Sequence, residues 1–249
     1  MPGGLHRAAA VGFARAADAY ERARPEYPDA AIAWLDERLG LGPGRRVLDL
    51  AAGTGKLTRP LAATGADVVA VEPIAEMRAR IRADVAVEVL DGTAEAIPLP
   101  DASVDAVTVG QAFHWFDGPA ALAQIQRVLR PRGWLALVWN RRPLDHPLHA
   151  GIEEIVAPHR GDAPAHRSGA WRAAFEETAL FGPLEERTFA HAQQVDAHGL
   201  ADRVGSTSFV ASLPERLRAD VLERVRALAG EGTIDVPYVC EVFVCPRSP

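Results

Sequence analysis

A short apolar run that leads directly into a turn of small residues is the feature that most constrains the fold of this chain. Residues 47–50 have the pattern of a buried β-strand, the turn 51–55 contains Gly53 and Gly55, and a helical pattern follows. A second apolar run ends in Glu72, about twenty residues after the turn begins. This layout is typical of a nucleotide-binding βα unit at the first strand of a parallel sheet, with the acid placed to bind a ribose.

The pattern of strand-like runs separated by helical patterns continues along the chain. Strands are predicted at 47–50, 68–71, 85–90, 105–109, 135–139, 188–195 and 237–245. Helices are predicted at 56–64, 74–83, 118–130, 197–211 and 214–229. Alternation at this spacing predicts βαβ units and therefore a doubly wound, mostly parallel α/β sheet.

The length of 249 residues fits one domain with insertions. Within the single domain 1–249 we predict four segments: an N-terminal helical lid at 1–40, a cofactor-binding core at 41–140, a helical insertion or cap at 141–185, and C-terminal strands and helices at 186–249. The lid pattern is interrupted between Pro25 and Pro28. The cap is indicated by closely spaced prolines and by a loss of the alternating rhythm.

Composition excludes several classes of partner. The formal net charge of −6 provides no basic field for nucleic acid. No apolar run approaches the ~18–20 residues that a membrane span needs. The N-terminal segment does not have the pattern of a signal peptide. We therefore expect a cytoplasmic protein, monomeric or homodimeric, that acts on a small molecule and binds neither nucleic acid nor membrane.

Three kinds of ligand use turns of this type, and the residues separate them. A phosphate-binding P-loop fails, because Leu50 replaces its first glycine and Leu57 replaces its magnesium-binding hydroxyl. The match to a dinucleotide-binding turn is weaker, because Thr58 stands where the third glycine would be. The third pattern is an acid inside the strand followed by alternating small residues, here Asp49, Ala51, Gly53 and Gly55. An acid in that place favours a cationic or amine-bearing ligand and repels a pyrophosphate.

With this turn the chain resembles the class I S-adenosylmethionine-dependent methyltransferases, in particular the small-molecule branch with the ubiquinone/menaquinone-biosynthesis and trans-aconitate-type enzymes. Four further segments carry the resemblance: residues 90–105 (LDGTAEAIPLPDASVD), 111–117 (QAFHWFD), 129–134 (LRPRGW) and the lid segment 20–28 (YERARPEYP). Together they cover roughly residues 13 to 140 in the family's order. The resemblance implies a Rossmann-like sheet of seven strands and S-adenosylmethionine as the cofactor.

The resemblance also implies a set of site residues. The cofactor would contact Tyr20, Arg24, Asp49, Ala51, Gly53, Gly55, Glu72, Pro73, Met77, Gly92, Thr93, Ala94 and Gln111. The acceptor would contact Tyr27, His114, Trp115, Arg141 and His146. Asp49 would face the amine end of the methionyl part and Glu72 the ribose. The adenine amino group would bind either Thr93, which replaces the family's usual Asp, or Asp91.

His114 is the candidate general base, because it is the histidine of the loop after the fourth strand and its unperturbed pKa lies near neutrality. Packing between Trp115 and Phe116 is the alternative role for this residue. No regular spacing of zinc ligands accompanies the four histidines between 146 and 166, so no metal site is predicted. Arginines in the same region favour a carboxylate-bearing acceptor if they line the pocket.

The sequence therefore predicts methyl transfer by in-line displacement from S-adenosylmethionine to an oxygen, carbon or nitrogen atom of a small organic acceptor. Two alternatives remain open at this point. One is a relative that binds the cofactor without transferring a methyl group. The other is an NAD-dependent oxidoreductase, which would share the turn and Glu72 but not Asp49.

Overall fold

The computed structural model describes residues 24–161 and 166–249. Seven strands are present in this part of the chain: β1 Arg46–Leu50, β2 Asp67–Val71, β3 Glu88–Leu90, β4 Val104–Gly110, β5 Leu129–Arg141, β6 Glu185–Val195 and β7 Ile234–Pro246. They form one mixed sheet in the order β3-β2-β1-β4-β5-β7-β6. The predicted α/β fold with a doubly wound, seven-stranded sheet is confirmed.

Helices connect and flank the strands. The described helices are α1 Asp29–Leu39, α2 Thr58–Ala63, α3 Ala75–Asp84, α4 Gly118–Val128, α5 Pro147–Val156, α6 Ala173–Glu176, α7 Ala197–Gly205, α8 Ser208–Ala211 and α9 Glu215–Ala227. Helix α1 begins directly after Pro28 and ends at Gly40, whose φ of 59° is the left-handed conformation that glycine adopts readily. The predicted helical lid at 1–40 is therefore helical over Asp29–Leu39, and residues 1–23 lie outside the described part of the chain.

The strand order places a topological switch point between β1 and β4. The chain runs outward from β1 through β2 to β3, returns to β4 on the other side of β1, and continues to β5. These five strands are paired in parallel. In open α/β sheets, ligands bind at the carboxyl ends of the strands where the order reverses. Asp49 is the last residue but one of β1, and Glu72 follows β2 directly.

Several strand boundaries differ from the sequence prediction, and the largest difference is at the start of β5. Helix α4 ends at Val128 and β5 begins at Leu129, where the sequence pattern predicted helix to 130 and a strand only from 135. Pro131 explains the early end of the helix, because proline disfavours the helical conformation of its preceding residue. Strand β3 begins at Glu88 instead of residue 85.

The described chain divides into two compact units, which we call the core unit and the second unit. The described residues of the core unit are 26–140, 166–189 and 240–249, and those of the second unit are 24–25, 141–161 and 190–239. The second unit has its own apolar core, formed by α5, α7, α8, α9 and the first half of β7. The predicted single-domain organisation stays a prediction. No helix in the described ranges is long and apolar enough to span a bilayer.

Candidate functional site

Asp49 is a buried carboxyl group in the middle of the core unit, with 1% of its surface exposed. It lies on β1 directly opposite Thr108 of β4, whose hydroxyl contacts Asp49 Oδ1 at 3.3 Å. Thr58, the first residue of α2, donates a hydrogen bond to Asp49 Oδ2 at 2.6 Å. Burial raises the pKa of Asp49 to about 7, and the two hydroxyls and the nearby Glu72 modify this effect. The carboxyl group therefore binds side-chain hydroxyls instead of capping the N–H groups of the turn.

Glu72 follows β2 and is also buried, with 4% of its surface exposed. Its Oε2 accepts a hydrogen bond from the Gly53 N–H at 2.9 Å, and its Oε1 accepts one from the Ile74 N–H at 2.9 Å. Burial raises the pKa of this carboxyl group, while these hydrogen bonds and the charge of Arg78 act in the opposite direction. Glu72 is therefore not a solvated surface carboxylate at a strand end. The Gly53 contact links the end of β2 to the turn after β1.

The turn between β1 and α2 requires unusual backbone conformations. Ala51, Gly53 and Gly55 have φ values of 56°, 59° and 87°, all in the left-handed region. An L-residue such as Ala51 adopts this conformation at a cost of about 1 kcal/mol. A Cβ atom placed on Gly53 would meet no atom within 4 Å. Open space therefore lies next to the backbone of Gly53, as the approach of a ligand requires.

The residues after β2 and β3 differ in their surroundings. Asp91 is exposed and pairs with Arg78 at 3.0 Å, and Arg78 also donates to the backbone oxygen of Glu72. Thr93 is half-buried and forms an isolated bridge with Ala96. Arg78 binds only one of the two Asp91 oxygens, so the choice between Asp91 and Thr93 as acceptor for an adenine amino group stays a prediction.

Four other predicted cofactor residues lie on α3 or in the loops after β2 and β3. Met77 on α3 and Ala94 are buried, with 3% and 4% of their surfaces exposed, and Pro73 is half-buried. Gly92 is closely packed: a Cβ atom there would lie 2.6 Å from Pro98 Cδ and 3.1 Å from Val71 Cγ1. Packing within the protein thus accounts for glycine at position 92 without a ligand.

The loop after β4 contains His114 and Trp115, which are predicted to contact the methyl acceptor, and Gln111, which is predicted to contact the cofactor. Gln111 has a left-handed φ of 60° and donates its N–H to the Val138 oxygen of β5. Trp139 donates its indole N–H to His114 Nδ1 at 3.3 Å. The rings of His114 and Trp115 lie 5.2 Å apart. A neutral His114 therefore carries its proton on Nε2, which makes that atom a donor and not a base in this arrangement.

Tyr27 reaches the same edge of the sheet. A Cβ atom on Gly110, the last residue of β4, would lie 2.6 Å from the Tyr27 hydroxyl oxygen. The neighbouring Glu26 accepts a hydrogen bond from Asn140 of β5 through its backbone oxygen. The segment before α1 is thereby attached to the carboxyl ends of β4 and β5.

The remaining predicted residues are described by the unit to which they belong. Arg24, Arg141 and His146 belong to the second unit. Arg24 donates to the side-chain and backbone oxygens of Ser206, and His146 is exposed before α5. Tyr20 lies outside the described residues.

Sequence reasoning missed three contributors to the core-unit site: Thr58, Thr108 and Trp139. In the sequence pattern, Thr58 only marks the position where a dinucleotide-binding turn would have its third glycine. A hydroxyl-bearing residue three positions after Gly55 is the sequence signal that could have indicated a hydrogen bond to Asp49. Thr108 and Trp139 required knowledge of strand pairing and of the contacts across β4 and β5.

Comparison with known proteins agrees with this geometry. Residues 48–137 match a family model described as a methyltransferase domain. A relative in Mycobacterium tuberculosis, named as an uncharacterized methyltransferase, is 41% identical over 96% of this chain and 95% of its own length. A demethylmenaquinone methyltransferase of Renibacterium salmoninarum is 36% identical over 48% of this chain and 52% of its own.

Among solved structures, a protein from Anaeromyxobacter dehalogenans, described as a proposed type II methyltransferase, superposes with a TM-score of 0.63. The two chains are 27% identical, and the match covers 90% of this chain and 96% of the other.

Proposed function

The chain belongs to the class I methyltransferase family, and from this premise we propose that it transfers the methyl group of S-adenosylmethionine to a small organic acceptor. The observation that carries the choice of cofactor is the pair of buried carboxyl groups, Asp49 and Glu72, at the switch point of the sheet. Buried carboxylates favour a ligand with positive charge and hydroxyl donors, which S-adenosylmethionine provides through its ammonium, sulfonium and ribose groups. An NAD pyrophosphate would be repelled by Asp49, whereas Glu72 suits the ribose of either cofactor.

The residues present fit this cofactor. Each Glu72 oxygen accepts one backbone hydrogen bond, and a carboxylate oxygen retains capacity for a ribose hydroxyl. The turn at Gly53 leaves space for close approach of the ligand. Met77, together with Asp91 or Thr93, would hold the adenine from α3 and the loop after β3. The cofactor supplies an activated methyl group, which the acceptor nucleophile displaces in line.

Positioning and exclusion of water are the main tasks of the protein in such a reaction, and together they supply about 7–11 kcal/mol. Gln111, Tyr27 and His114 lie at or beside the carboxyl end of β4, where the acceptor would be held. His114 would contact the methyl acceptor at this place. A base role for His114 would require loss of the Trp139 hydrogen bond and stays a prediction.

We propose a small molecule as the methyl acceptor for two reasons. The net charge of −6 does not favour nucleic acid. The loop after β4 reads GQAFHW and lacks the Asn/Asp-Pro-Pro-Tyr signature of many amino-group methyltransferases. The relation to a demethylmenaquinone methyltransferase supports an organic, ring-bearing acceptor methylated at carbon, oxygen or nitrogen. We also propose that the protein acts as a monomer or homodimer in the cytoplasm, without nucleic acid or membrane partners.

Calorimetric titration with S-adenosylhomocysteine, with NAD as the control ligand, tests the cofactor assignment. We expect saturable binding of the first ligand alone. Glu72→Ala should weaken it by about 1.5–3 kcal/mol, the range for hydrogen bonds that involve a charged group. The matched control is Glu76→Ala, which removes an exposed carboxylate from the first turn of α3 and should leave the affinity unchanged.

Equal losses in the Glu72 and Glu76 variants, or NAD binding without S-adenosylhomocysteine binding, would contradict the assignment. Transfer from a methyl-labelled donor to a pool of small metabolites then separates an enzyme from a cofactor-binding relative. Labelled product is expected with the wild-type protein and should be lost with Glu72→Ala.

A further inference from the structure

The second unit contains three arginines that act on one another electrostatically. Arg24 and Arg203 both lower the pKa of Arg142, although burial is the larger cause, and the resulting value is about 10. Arg142 therefore remains positively charged near neutral pH. Clustering of like charges in a partly buried place is unfavourable unless a negative partner compensates for it.

Arg203 is the most buried member of the cluster, with 6% of its surface exposed. Its Nε donates to the hydroxyl of Tyr238 at 3.1 Å, and its guanidinium lies 5.7 Å from the centre of the Tyr238 ring. Ser206 connects it to Arg24, because the Ser206 hydroxyl donates to the Arg203 oxygen and accepts from Arg24 Nε. Helix α7 and strand β7 thus hold this arginine in a defined position.

Negative charge inside the unit does not balance the cluster. No ion pair joins Arg142 or Arg203 to a carboxylate within 24–161 and 166–249. Glu153 is the carboxylate that acts on Arg142, but both of its oxygens already bind Arg160, at 2.8 and 2.7 Å. Two guanidinium groups therefore remain without an anionic partner from the described chain.

His149 adds an unsatisfied acceptor beside these charges. It is buried, with 1% exposed, and its Nε2 donates to the Pro237 oxygen at 2.7 Å. Burial lowers its pKa to about 4, and the charges of Arg142 and Arg203 act in the same direction, so the ring is neutral. Its Nδ1 is then an acceptor, and it has no hydrogen-bond partner among the described residues. Buried polar atoms normally have partners, so a donor from outside is expected here.

We propose that Arg142 and Arg203 form an anion-binding site in the second unit for the carboxylate or phosphoryl group of a small molecule that also carries a hydroxyl group. Guanidinium groups match both anions through paired N–H donors. A hydroxyl on the same ligand would donate to His149 Nδ1. This inference goes beyond the proposed methyl transfer: its residues belong to the second unit, and the residues proposed to bind the cofactor's ribose and amine belong to the core unit.

Calorimetric titration with citrate and with inorganic phosphate, at constant ionic strength, tests the site and distinguishes the two anions. We expect at least one of them to bind saturably, and Arg142→Gln to weaken that binding about tenfold or more. Arg226→Gln is the matched control, because Arg226 lies in the same unit but pairs with Glu223 on α9. Binding of S-adenosylhomocysteine should be equal in all three proteins, so failure of this site and failure of the proposed function are distinguishable.

Two further measurements sharpen the result. Tricarballylate, which lacks only the hydroxyl of citrate, should bind more weakly, and equal affinity would remove His149 from the site. Arg142→Glu places a carboxylate of the protein itself where the anion is proposed to bind. In a chloride buffer without citrate, this variant should therefore melt at a higher temperature than the wild type. Added citrate should not raise its melting temperature further. The proposal is overturned if neither anion binds saturably, or if Arg142→Gln and Arg226→Gln bind it as tightly as the wild type does.

Discussion

The ionisation of Asp49 has a consequence for stability that its position in the strand alone would not indicate. Its pKa is raised by burial from 3.8 to about 7, so the native protein holds this proton across a range in which the unfolded chain releases it. The native state then binds more protons between about pH 4 and about pH 7, and the stability from protonated Asp49 decreases as pH rises through that window.

Asp49→Asn tests this linkage because asparagine keeps the shape of the side chain and cannot ionise. The free energy of unfolding of the variant, relative to the wild type, should rise between pH 4 and pH 7 by up to about 1.4 kcal/mol per pH unit. Urea unfolding at pH 5 and pH 8 measures the difference. Asp36→Asn, which changes an exposed carboxylate on α1, should show none. Parallel curves for the Asp49 variant and the wild type would contradict the shifted pKa.

Residues whose roles depend on local sequence could be predicted, and those whose roles depend on distant pairing could not. Asp49, Gly53 and Glu72 were identified because a strand, a turn and a strand end lie close together in sequence. The hydroxyl of Thr108 reaches Asp49 only because β4 pairs with β1 across a long connection. The cluster of Arg142 and Arg203 likewise requires α7 to pack in the second unit, which no short motif encodes.

At the scale of elements, Gly53 and Gly92 lie in neighbouring βα loops, and different physical causes favour glycine at the two positions. Gly53 has a left-handed φ and open space beside it, whereas Gly92 is packed closely against Pro98 and Val71. The first is a place for a ligand, and the second is a contact between the loop after β3 and the end of β2. The sequence pattern assigned both to the cofactor and did not distinguish them.

Alanine at each position separates the two roles. Gly53→Ala should lower the free energy of unfolding by only about 1 kcal/mol, the cost of a left-handed alanine, but should weaken S-adenosylhomocysteine binding strongly. Gly92→Ala should lower stability by about 1–3 kcal/mol through overpacking and affect affinity less. Thermal unfolding and calorimetry of both variants provide the comparison. If Gly92→Ala is the variant with the larger loss of affinity, our interpretation of the Gly92 contact is wrong.

Over the whole molecule, the two proposed ligands are assigned to different units, and amide hydrogen exchange can report on each. S-adenosylhomocysteine should slow exchange in the turn 51–55 and around Glu72. Citrate or phosphate, whichever binds, should slow it in α5 and α7 of the second unit. Ligand binding restricts local opening, so protection should follow the site. Protection of α7 by S-adenosylhomocysteine alone would contradict the separate assignment.

The general architecture could be predicted at this scale because the alternation of strands and helices is strong over the first 140 residues. The boundary of β5 could not, since an apolar pattern does not reveal that residues 129–134 continue the strand through an irregular pairing with β4. The division of the late residues between two units also depends on packing that periodicity does not specify.

The place of β7 in the sheet has a consequence for how the protein is made. Although β7 comes last of the seven strands in sequence, it lies between β5 and β6. During synthesis, β5 and β6 are therefore complete while the strand that joins them has not yet left the ribosome. An exposed strand edge is a template for pairing with other chains. Until the residues of β7 emerge, this edge of β5 in the nascent protein lacks the neighbour that covers it in the finished sheet.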